Sequence, residues 1–190
     1  MTSNLTNIPS DFRLLASGVP GPEGPAIAPN GNLHLVSADE SSIIQVSNDG
    51  TIKEVATTGG RPNGLVFNAA GEMFVADAEL KAILHINTSG KSEVFVDEYE
   101  GTALGGPNDL CFLPSGDLLF PDPVRRPLPD PAISPLYKVT PAGQVSAFAN
   151  ELAFPNGIAV SEDRSNIKIL QNVTNSWNTN YVTKEYKLII

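Results

Sequence analysis

Four segments of the 190-residue chain begin alike and return at a nearly constant interval. They are Pro22-Glu23-Gly24-Pro25-Ala26, Pro62-Asn63-Gly64-Leu65-Val66, Pro107-Asn108-Asp109-Leu110-Cys111 and Pro155-Asn156-Gly157-Ile158-Ala159, with their prolines 40, 45 and 48 residues apart. A repeat of this length restricts a chain to arrays of one supersecondary unit, because each unit buries its apolar face only against its neighbours. Each start is followed by a short apolar run and a turn: Pro29-Asn30-Gly31-Asn32, Asn68-Ala69-Ala70-Gly71, Pro114-Ser115-Gly116-Asp117 and Glu162-Asp163-Arg164-Ser165. A second apolar run comes next (33–36, 73–76, 118–120, 167–170), then a third (43–46, 83–86, 136–139, 181–188). Three of the repeats add a glycine-containing turn and a fourth run, at 51–56, 92–96 and 144–148.

Four short strands per repeat of about 45 residues, separated by turn residues and without helical periodicity, predict the blades of an all-β propeller. The expected organisation is an N-terminal tail over 1–10, then a partial propeller over 11–190 with blades at about 18–58, 59–101, 102–151 and 152–190. The segment Asp11–Ala16 stands before the first motif where an outermost strand stands before each later one. It is expected to be an orphan outer strand of the kind that completes the last blade of a closed ring. By this count the chain holds three whole blades and three-quarters of a fourth. The open ring exposes strand edges, so self-association through them is expected. The asparagine-rich stretch 171–181 fits poorly as a loop within a blade.

Composition narrows the function. A net charge of −9 and a pI near 4.6 repel phosphate backbones and anionic lipid surfaces, so neither nucleic acid nor membrane is an expected partner. No apolar run is long enough to span a bilayer, and Met1–Phe12 lacks the pattern of a signal peptide, which makes a cytoplasmic protein the expectation. Cys111 is the sole cysteine and lies in an apolar run, as expected of a core thiol. His34 and His85 both fall within strand-like runs and are read as structural.

Equivalent positions of successive blades face one axial region. The motif therefore sets Glu23, Asn63, Asn108 and Asn156, four side chains with an oxygen donor, around the mouth of one channel. Converging carboxylate and amide oxygens suit a hard cation such as calcium. No sulfur or imidazole joins the set, against a zinc or copper site of the usual kind. Calcium is the expected ion, with another divalent cation (Zn2+, Mg2+ or Mn2+) as the alternative. Pro-Asn-Gly is also a common turn sequence, and turn formation competes with ligation as the reason for it. Glutamate has no such turn preference, which makes Glu23 the sharpest candidate ligand. The loop 121–131 also lies on the motif face and is stiffened by five prolines; Arg125 or Arg126 could meet a polar or anionic substrate there. Asp77 and Asp122 end second strands on this face, where rim and turn duties are both open.

These motifs resemble the gluconolactonase/SMP-30/luciferin-regenerating-enzyme family. The resemblance rests on Gly21-Pro22-Glu23-Gly24-Pro25, Gly60-Arg61-Pro62-Asn63-Gly64-Leu65, Gly106-Pro107-Asn108-Asp109 and Phe154-Pro155-Asn156-Gly157-Ile158-Ala159, and it extends over about residues 11–170. It implies a six-bladed propeller with one catalytic divalent cation that hydrolyses sugar lactones. It further implies that Glu23 and Asn156 bind the metal, that Asn108 touches substrate or a metal-bound water, and that Asn63 lines the pocket. The family's general base, an aspartate of the next blade, has no counterpart here, so no catalytic residue is identified and impaired activity is expected. Gly106 replaces an arginine found in some members, and the match weakens after Ser165. Alternatives are a metal-independent strictosidine-synthase-like enzyme, a non-catalytic binding propeller, or an inactive fragment.

Overall fold

The structure is a computed structural model and describes residues 12–124, 131, 133–175 and 178–187. Its elements are all strands, arranged as a β-propeller with four blades visible. Blade 1 comprises β1 (Pro22–Ile27), β2 (Leu33–Ser37), β3 (Ser42–Val46) and β4 (Ile52–Thr57). Blade 2 comprises β5 (Pro62–Phe67), β6 (Met73–Asp77), β7 (Ala82–Ile86) and β8 (Ser92–Val96). A two-stranded hairpin, β9 (Glu98–Tyr99) and β10 (Thr102–Ala103), leads into blade 3, which comprises β11 (Cys111–Phe112), β12 (Leu118–Pro121), β13 (Ser134–Val139) and β14 (Val145–Leu152). Blade 4 has three described strands, β15 (Pro155–Val160), β16 (Asn166–Asn175) and β17 (Asn178–Lys187). Within every blade the strands pair antiparallel in chain order. Among the described residues, no helix is long and apolar enough to cross a membrane.

The second and third strands of blades 1 to 3 are buried along most of their length on both faces, which is why they read as apolar runs, whereas the innermost β1 is largely exposed. In blade 2, Val75, Leu84 and Ile86 pack with Val36 and Ile43 of blade 1. Ala76 and Ile83, one residue out of phase, pack with Leu110, Leu118 and Phe120 of blade 3. Leu119 and Leu136 of blade 3 meet Ile158, Ile167 and Ile169 of blade 4. The core is thus a series of inter-blade layers. The outer strands β4, β8 and β14 expose most of their length to solvent.

Three sequence expectations are revised. The motifs do not precede the innermost strands: Pro22, Pro62 and Pro155 are the first residues of β1, β5 and β15, while in blade 3 the motif stays outside the short β11. The stretch 171–181 is no misplaced loop, because β16 and β17 extend as one long hairpin down to the pair Asn175–Asn178. Residues 12–19 contain no strand. Their position nevertheless matches the expected one. A methyl group on Gly50, in the β3–β4 turn, would lie 2.5 Å from the carbonyl oxygen of Leu15. One on Gly90, in the corresponding turn of blade 2, would lie 3.0 Å from that of Val55 in β4. Leu15 therefore stands to blade 1 as the outer strand of blade 1 stands to blade 2.

The turns between first and second strands use left-handed glycines at Gly31, Gly71 and Gly116, with φ of 84°, 82° and 87°. The same repeat position in blade 4 is Arg164, at φ 58°. A side chain in this region costs roughly 1–2 kcal/mol. Asp163 offsets part of the cost by accepting hydrogen bonds from the Ser161 and Ser165 hydroxyls and from the Ser165 amide, which hold its carboxyl at about 2. Arg164→Gly is expected to stabilise the chain by about 0.5–1 kcal/mol, read as a higher urea midpoint, because the relief of strain outweighs the added backbone freedom.

Candidate functional site

At the first residues of the innermost strands the regular ladder breaks. The register of β1 on β2 shifts between Glu23 and Ala26, that of β5 on β6 between Pro62 and Gly64, and that of β15 on β16 between Pro155 and Ile158. A bulge re-aims the side chain it carries. Here the bulged stretches carry Glu23, Asn63 and Asn156. Together with Asn108, these residues line one cavity of about 510 Å³. The sequence-derived set Glu23, Asn63, Asn108 and Asn156 is thus brought together. Arg125 and Arg126 lie outside the described residues.

The glycine of the motif has a packing role in blades 1 and 2, while at Gly157 of blade 4 a methyl group would meet its neighbours only at 3.7 Å. A methyl group at Gly24 would lie 2.6 Å from the Asn63 carbonyl oxygen, and one at Gly64 would lie 2.7 Å from the Asp109 Cα. Gly64 and Gly157 do not have positive φ, so turn conformation does not explain them. Close approach of neighbouring backbones does, at least for Gly24 and Gly64.

Blade 3 places Asp109 where the other motifs have glycine. Its Oδ1 accepts from the Leu110 amide at 2.8 Å and its Oδ2 from the Ile158 amide of blade 4 at 2.9 Å. Burial pushes the Asp109 carboxyl above the usual carboxylate range; the two amide bonds oppose this, and the charge of Glu23 adds to the rise. Ionised Asp109 therefore costs stability that is recovered as the pH falls through its raised value. The sequence reading passed over this residue, although its departure from the glycine of the other motifs was the available signal. Beside it, burial and the Asp109 charge push the Cys111 thiol up to about 12, consistent with an unreactive core cysteine.

Asp77 and Asp122 resolve as backbone anchors. They belong to a second repeated position, the end of strand two, held by Ser37, Asp77, Asp122 and Gln171, all buried. Ser37 Oγ donates to the Pro20 carbonyl at 2.7 Å, and Asp77 Oδ1 accepts from the Arg61 amide at 2.8 Å. Asp122 accepts from the Gly105 and Gly106 amides, each at 2.7 Å, and Gln171 Oε1 accepts from the Ala153 amide at 2.9 Å. Each anchor holds the backbone just ahead of a motif residue that lines the cavity. One buried polar side chain per blade thus fixes where Glu23, Asn63, Asn108 and Asn156 stand.

The donor set fits a hard cation. Among the described residues, the side chains of Glu23, Asn63, Asn108 and Asn156 make no hydrogen bond to protein. Asn108 is only 5% exposed. Glu23 and Asp109 repel each other, a repulsion that a cation in the cavity would relieve. Among the described residues no three His, Cys, Asp or Glu side chains cluster, so a site here would rest on amide oxygens as much as on carboxylates.

A propeller whose repeated motif carries an oxygen-lined cavity is the class that fold and site define. The SMP-30/gluconolactonase/LRE-like family model matches residues 21–181, and the chain belongs to that family. It is 24% identical over 187 residues to a gluconolactonase of Zymomonas mobilis, covering 87% of this chain and 52% of the relative. It is 28% identical over 155 residues to the strictosidine synthase-like 4 protein of Arabidopsis thaliana, covering 76% of this chain and 42% of the relative. Its fold is shared with a gluconolactonase structure from Xanthomonas campestris at a TM-score of 0.73 and 24% identity, over 85% of this chain and 57% of that one. The chain thus spans about half the length of these relatives.

Removing the blade 3 anchor tests its role. Asp122→Ala leaves the amides of Gly105 and Gly106 without their acceptor and is expected to cost about 2–4 kcal/mol in urea unfolding, with Asp122→Asn losing less because one acceptor oxygen remains.

Proposed function

We propose that this chain supplies the metal and substrate contacts of a divalent-cation-dependent hydrolase acting on sugar lactones. The observation that carries this reading is the convergence of Glu23, Asn63, Asn108 and Asn156 on one cavity without protein hydrogen bonds. Membership of a family that includes gluconolactonases supports it.

In this reading Glu23, Asn156 and Asn108 hold the cation, calcium before other divalent ions, since oxygen donors of this kind suit it. Such an ion supplies Lewis-acid polarisation of a carbonyl oxygen. Asn63 lines the pocket and Asn108 touches the bound lactone, with Arg125 a further candidate contact. Asp109 brings a second negative charge close to Glu23, which favours tighter cation binding than one carboxylate would give. Both of its oxygens already accept backbone amides, which suits it to tie blades 3 and 4 together rather than to move a proton. Among the described residues no other carboxylate lines the cavity, so these residues offer no free general base.

The expected outcome for the 190-residue chain is therefore cation binding with little or no lactone turnover. Calorimetry should detect calcium binding, and Glu23→Gln should weaken it about tenfold or more, since half the local negative charge is lost. Calcium should also raise the melting temperature of the wild type, as any ligand selective for the native state does. A melt and a titration both indifferent to calcium would end the metal reading. The match to strictosidine synthase-like proteins favours a second reading, an enzyme needing no metal. Turnover that persists in excess chelator would select it.

A further inference from the structure

A second cavity, of about 680 Å³, opens between blades 2 and 3 on the face opposite the motifs, beside the β5–β6, β11–β12 and β13–β14 turns. Its volume lies in the range of small-molecule sites. Four phenylalanines wall it, Phe67, Phe74, Phe95 and Phe112. Phe74 sits at their centre, edge-on to Phe95 at 5.2 Å between centroids and to Phe112 at 5.4 Å. At the rim His85 stands between two carboxylates, with Nδ1 3.3 Å from Glu93 Oε1 and Nε2 3.4 Å from Glu72 Oε2. The Asn68 amide also donates to Glu72 Oε2, at 2.8 Å. The nearest lysine, Lys91, is exposed and 3.9 Å from Glu93. Among the described residues neither lysine nor arginine lines the cavity.

The repeat provides an internal control. The corresponding groove between blades 1 and 2 is also open. There His34, Val55 and Phe67 stand for Phe74, Phe95 and Phe112, and Gln45 and Lys53 for His85 and Glu93; Asn32, the sequence counterpart of Glu72, does not line that groove, whereas Glu54 does. Inter-blade packing accounts for Phe67 and Phe112, since His34 meets Phe67 edge-on at 4.9 Å much as Phe74 meets Phe112. It does not account for the rest. Between blades 2 and 3 the wall has gained two phenyl rings, and the rim pairs Glu72 with Glu93 where the first groove pairs Glu54 with Lys53. Phenyl faces and carboxylates both attract a cation that carries an apolar body.

We propose that this cavity binds a small organic cation with an aromatic or aliphatic body, its ammonium group at Glu72 and Glu93 and its apolar part against Phe74, Phe95 and Phe112. The site is separate from the motif cavity and does not depend on the lactonase reading. The test titrates the full chain, by amide NMR, with 2-phenylethylammonium and with the anion 3-phenylpropionate. Saturable binding of the ammonium is expected at millimolar concentration, with the anion weaker by about tenfold or more. Glu93→Lys and Phe95→Val install the residues that the preceding blade carries at these positions and should preserve the fold, which the same spectra report. The first should weaken ammonium binding about tenfold and the second severalfold. Equal affinity for cation and anion, absence of saturable binding to the wild type, or undiminished binding by folded Glu93→Lys would overturn the proposal.

Discussion

The motifs of blades 1 and 2 each meet the next blade with no room for a side chain at their glycines. At Gly24 and Gly64 the backbone of one blade's motif lies against that of the next, and even a methyl group would collide with backbone atoms. This close approach sets the distance between neighbouring blades at the axis. It also brings the residues beside these glycines, Glu23 and Asn63, to the same cavity as Asn108 and Asn156. Where blade 3 departs from glycine, the added carboxylate of Asp109 lies against blade 2 and bonds to the amide of Ile158 in blade 4. The departure converts a packing position into a bond between blades.

A second layer of control lies behind the motifs. Ser37, Asp77, Asp122 and Gln171 differ in chemistry but share a place and a task, each bonding the backbone that leads into a motif. A buried polar group bonded to backbone fixes geometry more narrowly than apolar packing does; Asp77 does so through Oδ1 alone, its Oδ2 being buried without a partner among the described residues. The cavity-lining side chains are thereby left to face solvent or ligand, while their backbones are held from behind. The opposite face is under no such common constraint. There the inter-blade grooves have diverged, one keeping His34 and a lysine and the other gathering phenyl rings and carboxylates.

Much of this was legible in the sequence because a propeller repeats its backbone. The spacing of the four prolines yielded the blades, and the shared motif position yielded Glu23, Asn63, Asn108 and Asn156 as one set. Legibility failed where a residue's role depends on what another blade brings to it. Asp109 reads as part of a motif until Ile158, 49 positions away, is seen to donate to it. Asp77 and Asp122 read equally well as rim or turn residues until their partners are known. The stretch 171–181 lacks the apolar alternation of the other strands, so pattern alone did not reveal that β16 and β17 run on as a hairpin.

The sequence by itself determined the repeat, the order of the strands and the kind of atoms offered at the channel, because these follow from local pattern and from residue identity. Tertiary structure alone decided why glycine recurs beside the asparagines, which carboxylate is buried and which stays exposed, and which groove became aromatic. The physical reason is that close backbone approach, burial and like-charge repulsion are properties of pairs of blades. A single repeat, however clearly written, does not contain its neighbour.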